Sequence, residues 1–130
     1  MNMYGYIVVS PDDEVRVVNT SSGKLNNSQL WNDIGGYYEV VAPRLLYGTR
    51  WSKIRILCDE EGLFKENPKV NKLASGLYAA PSAIVGNVVI CKFDISPNQE
   101  PDILAFESPE LEEAEKFIRA LIEQLKNIKV

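Results

Sequence analysis

The sequence predicts an α+β domain built on a mixed, mostly antiparallel sheet of five or six strands, with two short helices and a longer C-terminal helix. Runs of aromatic and β-branched residues alternate with turn residues in the first three quarters of the chain, which is typical of strands. Two short stretches repeat their apolar residues at helical spacing. A long amphipathic stretch after Ser108-Pro109 predicts the last helix.

The N-terminal part of the chain predicts a hairpin followed by a short helix. Residues 4–9 and 15–18 flank a Ser-Pro-Asp-Asp turn, so we expect two paired strands. Asn27 or Ser28 is expected to cap the helix, because short polar side chains accept hydrogen bonds from its first amides. The apolar residues on one side of this helix are Leu30, Trp31 and Ile34.

Two successive glycines predict the end of this helix and the start of the next strand. Gly35 and Gly36 suit the left-handed cap after a helix, since they take positive φ without a Cβ clash. Residues 37–41, Tyr-Tyr-Glu-Val-Val, are strand-forming types. Residues 51–58 alternate polar and apolar side chains and predict a further strand.

A second helix and a central strand are predicted next. Asn67-Pro68 is typical of a helix start, with Asn as the cap and Pro in the first turn. The buried side of this helix is expected to be Val70, Leu73, Ala74 and Leu77. Residues 84–93 are the most hydrophobic segment and predict a central strand, in which Gly86 marks a bulge or a close backbone approach.

The C-terminal part predicts a linker, an edge strand and the long helix. Residues 96–101 are turn-rich, and residues 103–106 are a short apolar segment. Ser108 is expected to cap the helix and Pro109 to take its first position. The helix carries an apolar stripe wide enough for a core or for a homo-oligomer seam, at Leu111, Ala114, Phe117, Ile118, Leu121, Ile122, Leu125 and Ile128.

Length and composition limit the classes of protein. A chain of 130 residues with 45% apolar and 25% charged residues predicts one globular domain over residues 1–130. A net charge of -4 disfavours stable binding to duplex nucleic acid. No apolar run approaches the roughly 20 residues that cross a bilayer, and residues 1–9 lack the pattern of a secretory signal, so we expect a cytoplasmic protein.

The inventory of reactive side chains is poor. The chain contains no histidine, which rules out Ser-His and Cys-His nucleophiles, and it has no glycine-rich phosphate loop. Cys58 and Cys91 fall inside predicted strands, where a free thiol behaves as a small hydrophobe. Two cysteines without histidine offer little to a metal ion. We therefore expect no catalytic residues, no metal site and no cofactor.

One basic segment predicts a ligand-binding surface. Residues 44–55 contain four cations and two aromatic residues and no acid. Guanidinium groups bind phosphate, and aromatic rings stack on bases, so these types together suit a small nucleotide-like anion. The predicted ligand-binding residues here are Arg44, Tyr47, Arg50, Trp51 and Arg55. The alternative is a solvated basic strand edge with Trp51 in the core.

Two further features each have a functional and a structural interpretation. Asn71 is a predicted ligand contact, or else it bonds a loop backbone, as such side chains commonly do. Residues 94–115 contain eight acids and no Lys or Arg. This run either presents an acidic surface to a protein partner or serves solubility and the electrostatics of the helix start.

Four stretches together resemble a known family. They are Gly-Gly-Tyr-Tyr-Glu-Val-Val at 35–41, Asp-Glu-Glu-Gly at 59–62, Asn-Lys-Leu-Ala at 71–74, and Ile-Val-Gly-Asn-Val-Val-Ile at 84–90. In this order they resemble the domain-of-unknown-function family numbered 3846, over roughly residues 4–92. The resemblance implies a bacteriophage or mobile-element setting and no established activity. Residues 93–130, the acidic linker and the last helix, extend beyond it.

These features together give two functional hypotheses and, as a third possibility, a purely structural subunit. The first is a non-enzymatic phage or mobile-element protein that sequesters a nucleotide-derived small molecule, such as a host immune signal, in the host cytosol. The second is a protein-interaction inhibitor that acts through the acidic residues 94–115 or through the C-terminal helix.

Overall fold

The computed structural model describes residues 3–80, 82–94 and 102–127. They form seven strands and three α-helices, which confirms the predicted α+β class. In chain order these are β1 (Tyr4–Val9), β2 (Val15–Thr20), α1 (Asn27–Ile34), β3 (Tyr38–Val41), β4 (Ile54–Asp59), α2 (Lys72–Tyr78), β5 (Val88–Asp94), β6 (Asp102–Leu104), β7 (Phe106–Glu107) and α3 (Glu110–Lys126). The count exceeds the expected five or six because the predicted strand at 103–106 is divided into β6 and β7.

The strands form one sheet in the order β2-β1-β5-β4-β3. β6 pairs with β5, and β7 pairs with β1. Every pairing between described strands is antiparallel. β5 lies at the centre of this order, as predicted from its continuous apolar run, and β3 lies at an edge. Within the described ranges, none of the helices has both the length and the apolar composition that a bilayer crossing requires.

Helices cover both faces of the sheet. On one face, alternate strand residues such as Ile7, Ile56 and Ile90 belong to a core that includes residues of α2 and α3. On the other face, Tyr6, Leu57 and Val89 belong to a smaller core with Leu30 and Ile34 of α1. This alternation follows from the period of two residues along a strand. It also places Cys58 and Cys91 on opposite faces, where both are buried free thiols.

The stripe of α3 packs against its own chain. Leu111, Ala114, Ile118 and Ile122 are buried in the larger core. Phe117, Leu121 and Leu125 are partly buried against the same core, while Ile128 lies outside the described residues. The core half of the prediction is therefore confirmed, and an oligomer seam stays a prediction.

Two helix starts differ from the prediction. The cap of α1 is Asn26, whose side chain accepts hydrogen bonds from the amides of Ser28 and Gln29. The cap of α2 is Asn71, four residues after the predicted Asn67-Pro68 start. Val70 is consequently not on the buried side of α2; it is exposed and forms an isolated bridge with Val85.

Strand and helix boundaries near turns also shift. β4 begins at Ile54 rather than at position 51, because residues 49–54 form successive turns in which the Ile54 amide bonds the Trp51 carbonyl. β5 begins at Val88, after Gly86 turns the chain with a φ of 79°.

Pro109, not Ser108, takes the cap position of α3, and the Ser108 hydroxyl donates to Glu112. The predicted linker at 96–101 lies outside the described residues.

Candidate functional site

The structure does not bring the basic residues of 44–55 together around a ligand. The Arg44 guanidinium lies 5.7 Å from the centre of the Tyr78 ring. Arg50 forms an ion pair with Glu113 of α3. Arg55 donates to the backbone carbonyls of Ser52 and Ile54 at 2.9 and 2.8 Å, and it lies 4.8 Å from the centre of the Phe93 ring. Each arginine is thus bound to a different part of the fold.

The two aromatic residues of this segment have different positions. Trp51 is only 9% exposed and stacks on Phe117 of α3, with 5.2 Å between ring centres. The Arg50 guanidinium lies 4.4 Å from the centre of the Trp51 ring. The prediction that Trp51 stacks on a ligand is therefore wrong, and the core alternative holds. Tyr47 is well exposed, with no other aromatic or cationic side chain of the described chain stacked on it.

Asn71 has a structural role. Its side chain is fully buried, and its amide nitrogen donates to the carbonyls of Val9 and Gly86, both at 3.0 Å. Its side-chain oxygen accepts from the Ala74 amide at 3.1 Å. Both amide hydrogens are used within the protein, so the prediction of a ligand contact is wrong. The side chain instead joins β1, α2 and the turn before β5.

The acids at the start of α3 have partners within the chain. Glu110 pairs with Lys92 at 2.8 Å, and Glu115 pairs with Arg119 at 2.9 Å. Glu113 pairs with Arg50, and Glu112 accepts from the Ser108 hydroxyl at 2.7 Å. Residues 95–101 of the acidic run lie outside the described residues. In the helix, local pairing agrees with the structural interpretation of this run.

A cleft lies at the other end of β4, where β3 begins. Antiparallel pairing sets Tyr38 opposite Asp59, so the joint after α1 meets the turn after β4. Gly35 ends α1 with a φ of 95°, a conformation that favours glycine, and directs the chain into β3. The cleft has a volume of about 400 Å³, and it is lined by Trp31, Gly35, Gly36, Tyr37, Asp59, Glu61 and Lys65.

Two aromatic rings form an exposed wall of the cleft. Trp31 lies on the last turns of α1 and is 38% exposed, and Tyr37 immediately precedes β3 and is 64% exposed. Their ring centres are 5.0 Å apart, and their planes meet at 85°. Edge-to-face contact stabilises the pair while leaving ring surface open to a flat ligand.

The floor of the cleft carries charge. The Lys65 ammonium donates to the Gly35 carbonyl at 2.7 Å and forms an ion pair with Asp59. The Asp59 side chain is 6% exposed and also accepts from the Glu61 amide at 2.9 Å. The Glu61 side chain is exposed, and no residue of the described chain hydrogen-bonds its carboxylate. The cleft therefore contains two carboxylates and one ammonium.

A second cavity continues the cleft past Lys65. It has a volume of about 290 Å³ and shares Asp59 and Lys65 with the first. Its lining also includes residues of the turn after β4 and of the segment before β5. Gly62 is needed here, because a Cβ at this position would lie 2.7 Å from Val85 Cγ2. The Asn71 amide bonds the Gly86 carbonyl, so all four stretches of the family resemblance meet at this end of the sheet.

The nearest thiol is held in its protonated form. Burial, with a smaller contribution from the Glu39 carboxylate, raises the pKa of Cys58 to about 12. Burial raises the pKa of Cys91 as well. In the described ranges, no three Cys, Asp or Glu side chains come close enough together to hold a metal ion.

Sequence reasoning missed the cleft residues for a definable reason. Helical spacing assigned Trp31 to the core side of α1, and Tyr37 was expected inside a strand. The signal that was available is the pair of stretches at 35–41 and 59–62, which antiparallel pairing of their strands brings together. No family model matches the chain, and no curated protein or solved structure matches it either. The resemblance to the family numbered 3846 stays a prediction.

Proposed function

We propose that this protein is a non-enzymatic binding protein that sequesters a nucleotide-derived small molecule in the cleft between α1 and the turn after β4. The observation that carries the proposal is the exposed ring pair of Trp31 and Tyr37, which lines a cleft of about 400 Å³ together with Lys65. This volume lies within the range of about 300–1,000 Å³ that is usual for small-molecule sites. The ligand binds in this cleft and not on the basic segment.

The chemistry of the cleft suits a flat base that carries hydrogen-bond donors and acceptors on its edge. Stacking of a base on an aromatic side chain contributes about 1–3 kcal/mol. Lys65 supplies a fixed hydrogen-bond donor near the rings, since the Gly35 carbonyl and Asp59 hold its ammonium in place. The neighbouring cavity gives room for a ribose or a second group beyond Lys65.

The absence of a histidine and of a thiolate supports binding without transformation. The chain has no histidine to act as a general base near neutral pH. The thiol closest to the cleft, Cys58, has a pKa of about 12 and is therefore not a thiolate at pH 7. Such a site retains its ligand and returns it unchanged.

The biological setting comes from the family resemblance. A bacteriophage or mobile-element protein that holds a nucleotide-derived molecule in the host cytosol would lower the concentration of a host immune signal. Sequestration requires the protein to hold its ligand tightly, so the affinity must exceed what a single contact provides. Two rings and a fixed ammonium meet that need better than isolated surface arginines.

The test is a panel of cyclic and linear nucleotides, with the melting temperature of the full chain as readout. A bound nucleotide raises the melting temperature by mass action. We expect at least one member of the panel to do so and to be recovered with unchanged mass after denaturation. Recovery of a cleaved product, or no shift with any nucleotide, would contradict the proposal.

Paired variants decide where the ligand binds. Trp31→Ala with Tyr37→Ala should abolish the shift, whereas Arg50→Ala with Arg55→Ala should leave it. The reverse result would return the site to the basic segment. Charge reversal at Glu112 and Glu113 should have no effect on capture, and it should matter only if the protein acts through its acidic surface on a protein partner.

A further inference from the structure

We infer that the base recognised in this cleft is a guanine-type purine, selected over adenine by Lys65 and Glu61. This inference rests on the proposed function and names the ligand class of the same site. It follows from counting which hydrogen-bond donors and acceptors the cleft leaves available.

Lys65 offers one donor to a ligand. An ammonium group has three N–H donors. The Gly35 carbonyl accepts one at 2.7 Å, and the ion pair with Asp59 uses a second. The third donor remains for a ligand acceptor. Because two protein groups hold the ammonium, its direction is set before the ligand arrives.

Glu61 offers acceptors to a ligand. Asp59 is nearly buried and already accepts from Lys65 and from the Glu61 amide. The Glu61 carboxylate is exposed at the cleft, and none of the described residues hydrogen-bonds it. A carboxylate accepts two parallel hydrogen bonds from adjacent donors. The cleft lining therefore includes one side chain with a donor for a ligand and one with two acceptor oxygens.

Guanine has the complementary edge. Its O6 is an acceptor, and its N1–H and N2–H₂ are adjacent donors, so O6 faces Lys65 while the two donors face Glu61. Adenine has one amino donor next to the lone pair of N1, and that lone pair would face the carboxylate and repel it. Hypoxanthine keeps O6 and N1–H but lacks the 2-amino group. The excess of carboxylates over ammonium in the cleft thus selects the edge richest in donors.

The experiment is calorimetric titration of the full chain with guanosine, inosine and adenosine 5′-monophosphates. We expect the guanosine nucleotide to bind about tenfold or more tightly than the adenosine nucleotide, because a charge-assisted hydrogen bond is gained and a repulsion is avoided. The inosine nucleotide should fall between them.

Variants of the acidic turn assign the selectivity to one side chain. Glu61→Gln should lower the affinity for the guanosine nucleotide about tenfold and should raise that for the adenosine nucleotide, because the repulsion between the carboxylate and adenine N1 is removed. Glu60→Gln is the matched control, because Glu60 is adjacent and exposed but lines a different cavity. This variant should bind like the unmodified chain.

The outcomes separate this inference from the proposed function. If all three nucleotides bind equally, or if Glu61→Gln weakens them equally, the guanine assignment is overturned and the binding function stands. An equal effect of Glu60→Gln would likewise overturn the assignment. If no nucleotide of the panel or of this series binds, both fail together.

Discussion

Aromatic and cationic side chains lie at both ends of β4, but the aromatic ring at one end is buried and the rings at the other end are exposed. At the Ile54 end, Arg50 and Arg55 are engaged by Glu113 and by backbone carbonyls, and Trp51 is in the core. At the Asp59 end, about 17 Å away by the rise of a strand, two exposed rings line a cleft with a single ammonium. Cations that are neighbours in sequence are separated by the fold. Rings and charges that are distant in sequence are assembled by it.

The difference has a physical cause. An arginine has five N–H donors and a long side chain, so it finds a carboxylate, a carbonyl or a ring within its own reach. The basic segment lies beside the acidic start of α3 and has such partners. Glycine at positions 35 and 36 instead presents backbone carbonyls and little side-chain bulk, which keeps a cleft open between α1 and the turn after β4.

The largest expected effect is on stability, from one tryptophan and not from the other. Trp51→Ala removes a ring that is buried against Phe117, and large-to-small core changes of this kind cost about 3–5 kcal/mol. Trp31→Ala removes an exposed ring, so we expect a change below about 1 kcal/mol in the free energy of unfolding. Urea unfolding measures both changes in the free energy of unfolding, provided that the dependence of this free energy on urea concentration is the same for each variant and for the unmodified chain.

Ligand binding should show the reverse order. Trp31→Ala should weaken capture, while Trp51→Phe, which keeps a ring against Phe117, should leave it intact. If Trp31→Ala were the more destabilising change and Trp51→Phe the variant that lost the ligand, Trp31 would be the structural residue and Trp51 the ligand-binding one.

The next effect is also on stability, at Asn71. Asn71→Ala removes the buried side-chain donor to the carbonyls of Val9 and Gly86 and the cap of α2. A lost cap costs about 1 kcal/mol, and buried polar groups left without partners add about 1–3 kcal/mol. We therefore expect a loss of roughly 2–4 kcal/mol, measured by urea unfolding.

Asn87→Ala is the control for this change, since its side-chain amide makes only a long, exposed bond of 3.3 Å to the Asp33 carbonyl. That variant should lose less than about 1 kcal/mol. Equal losses at the two positions would mean that the buried amide is not what holds β1, α2 and the turn before β5 together.

Sequence patterns predicted the fold because each pattern corresponds to burial in a sheet or a helix. The strand-forming residues of β1, the apolar run of β5 and the stripe of α3 are all buried in the two cores of the structure. Boundaries were less predictable where two caps competed. Asn67-Pro68 has the composition of a helix start, but only Asn71 lies where its side chain bonds Ala74 of the helix and two carbonyls outside it.

The site was less predictable than the fold because it depends on strand pairing. Local composition singled out residues 44–55, yet composition does not show that Glu113 lies beside Arg50, 63 positions away in sequence. It also does not show that Lys65 reaches the Gly35 carbonyl, 30 positions away. Both facts require the order of the strands and the placement of the helices on the sheet.

The smallest expected effect concerns the pair between Arg50 and Glu113. Both side chains are about half exposed, so solvent screens their attraction, and exposed pairs contribute about 0.2–1 kcal/mol. A double-mutant cycle with Arg50→Ala and Glu113→Ala should give a coupling free energy in that range. This coupling should decrease between about 0.05 and 0.5 M salt, because the Debye length shortens and the charges are screened. A coupling above about 2 kcal/mol would mean that the arginine is desolvated and held rigidly. In that case the basic segment would be an organised charged surface, and it would again be a candidate site for an anionic ligand beside the cleft.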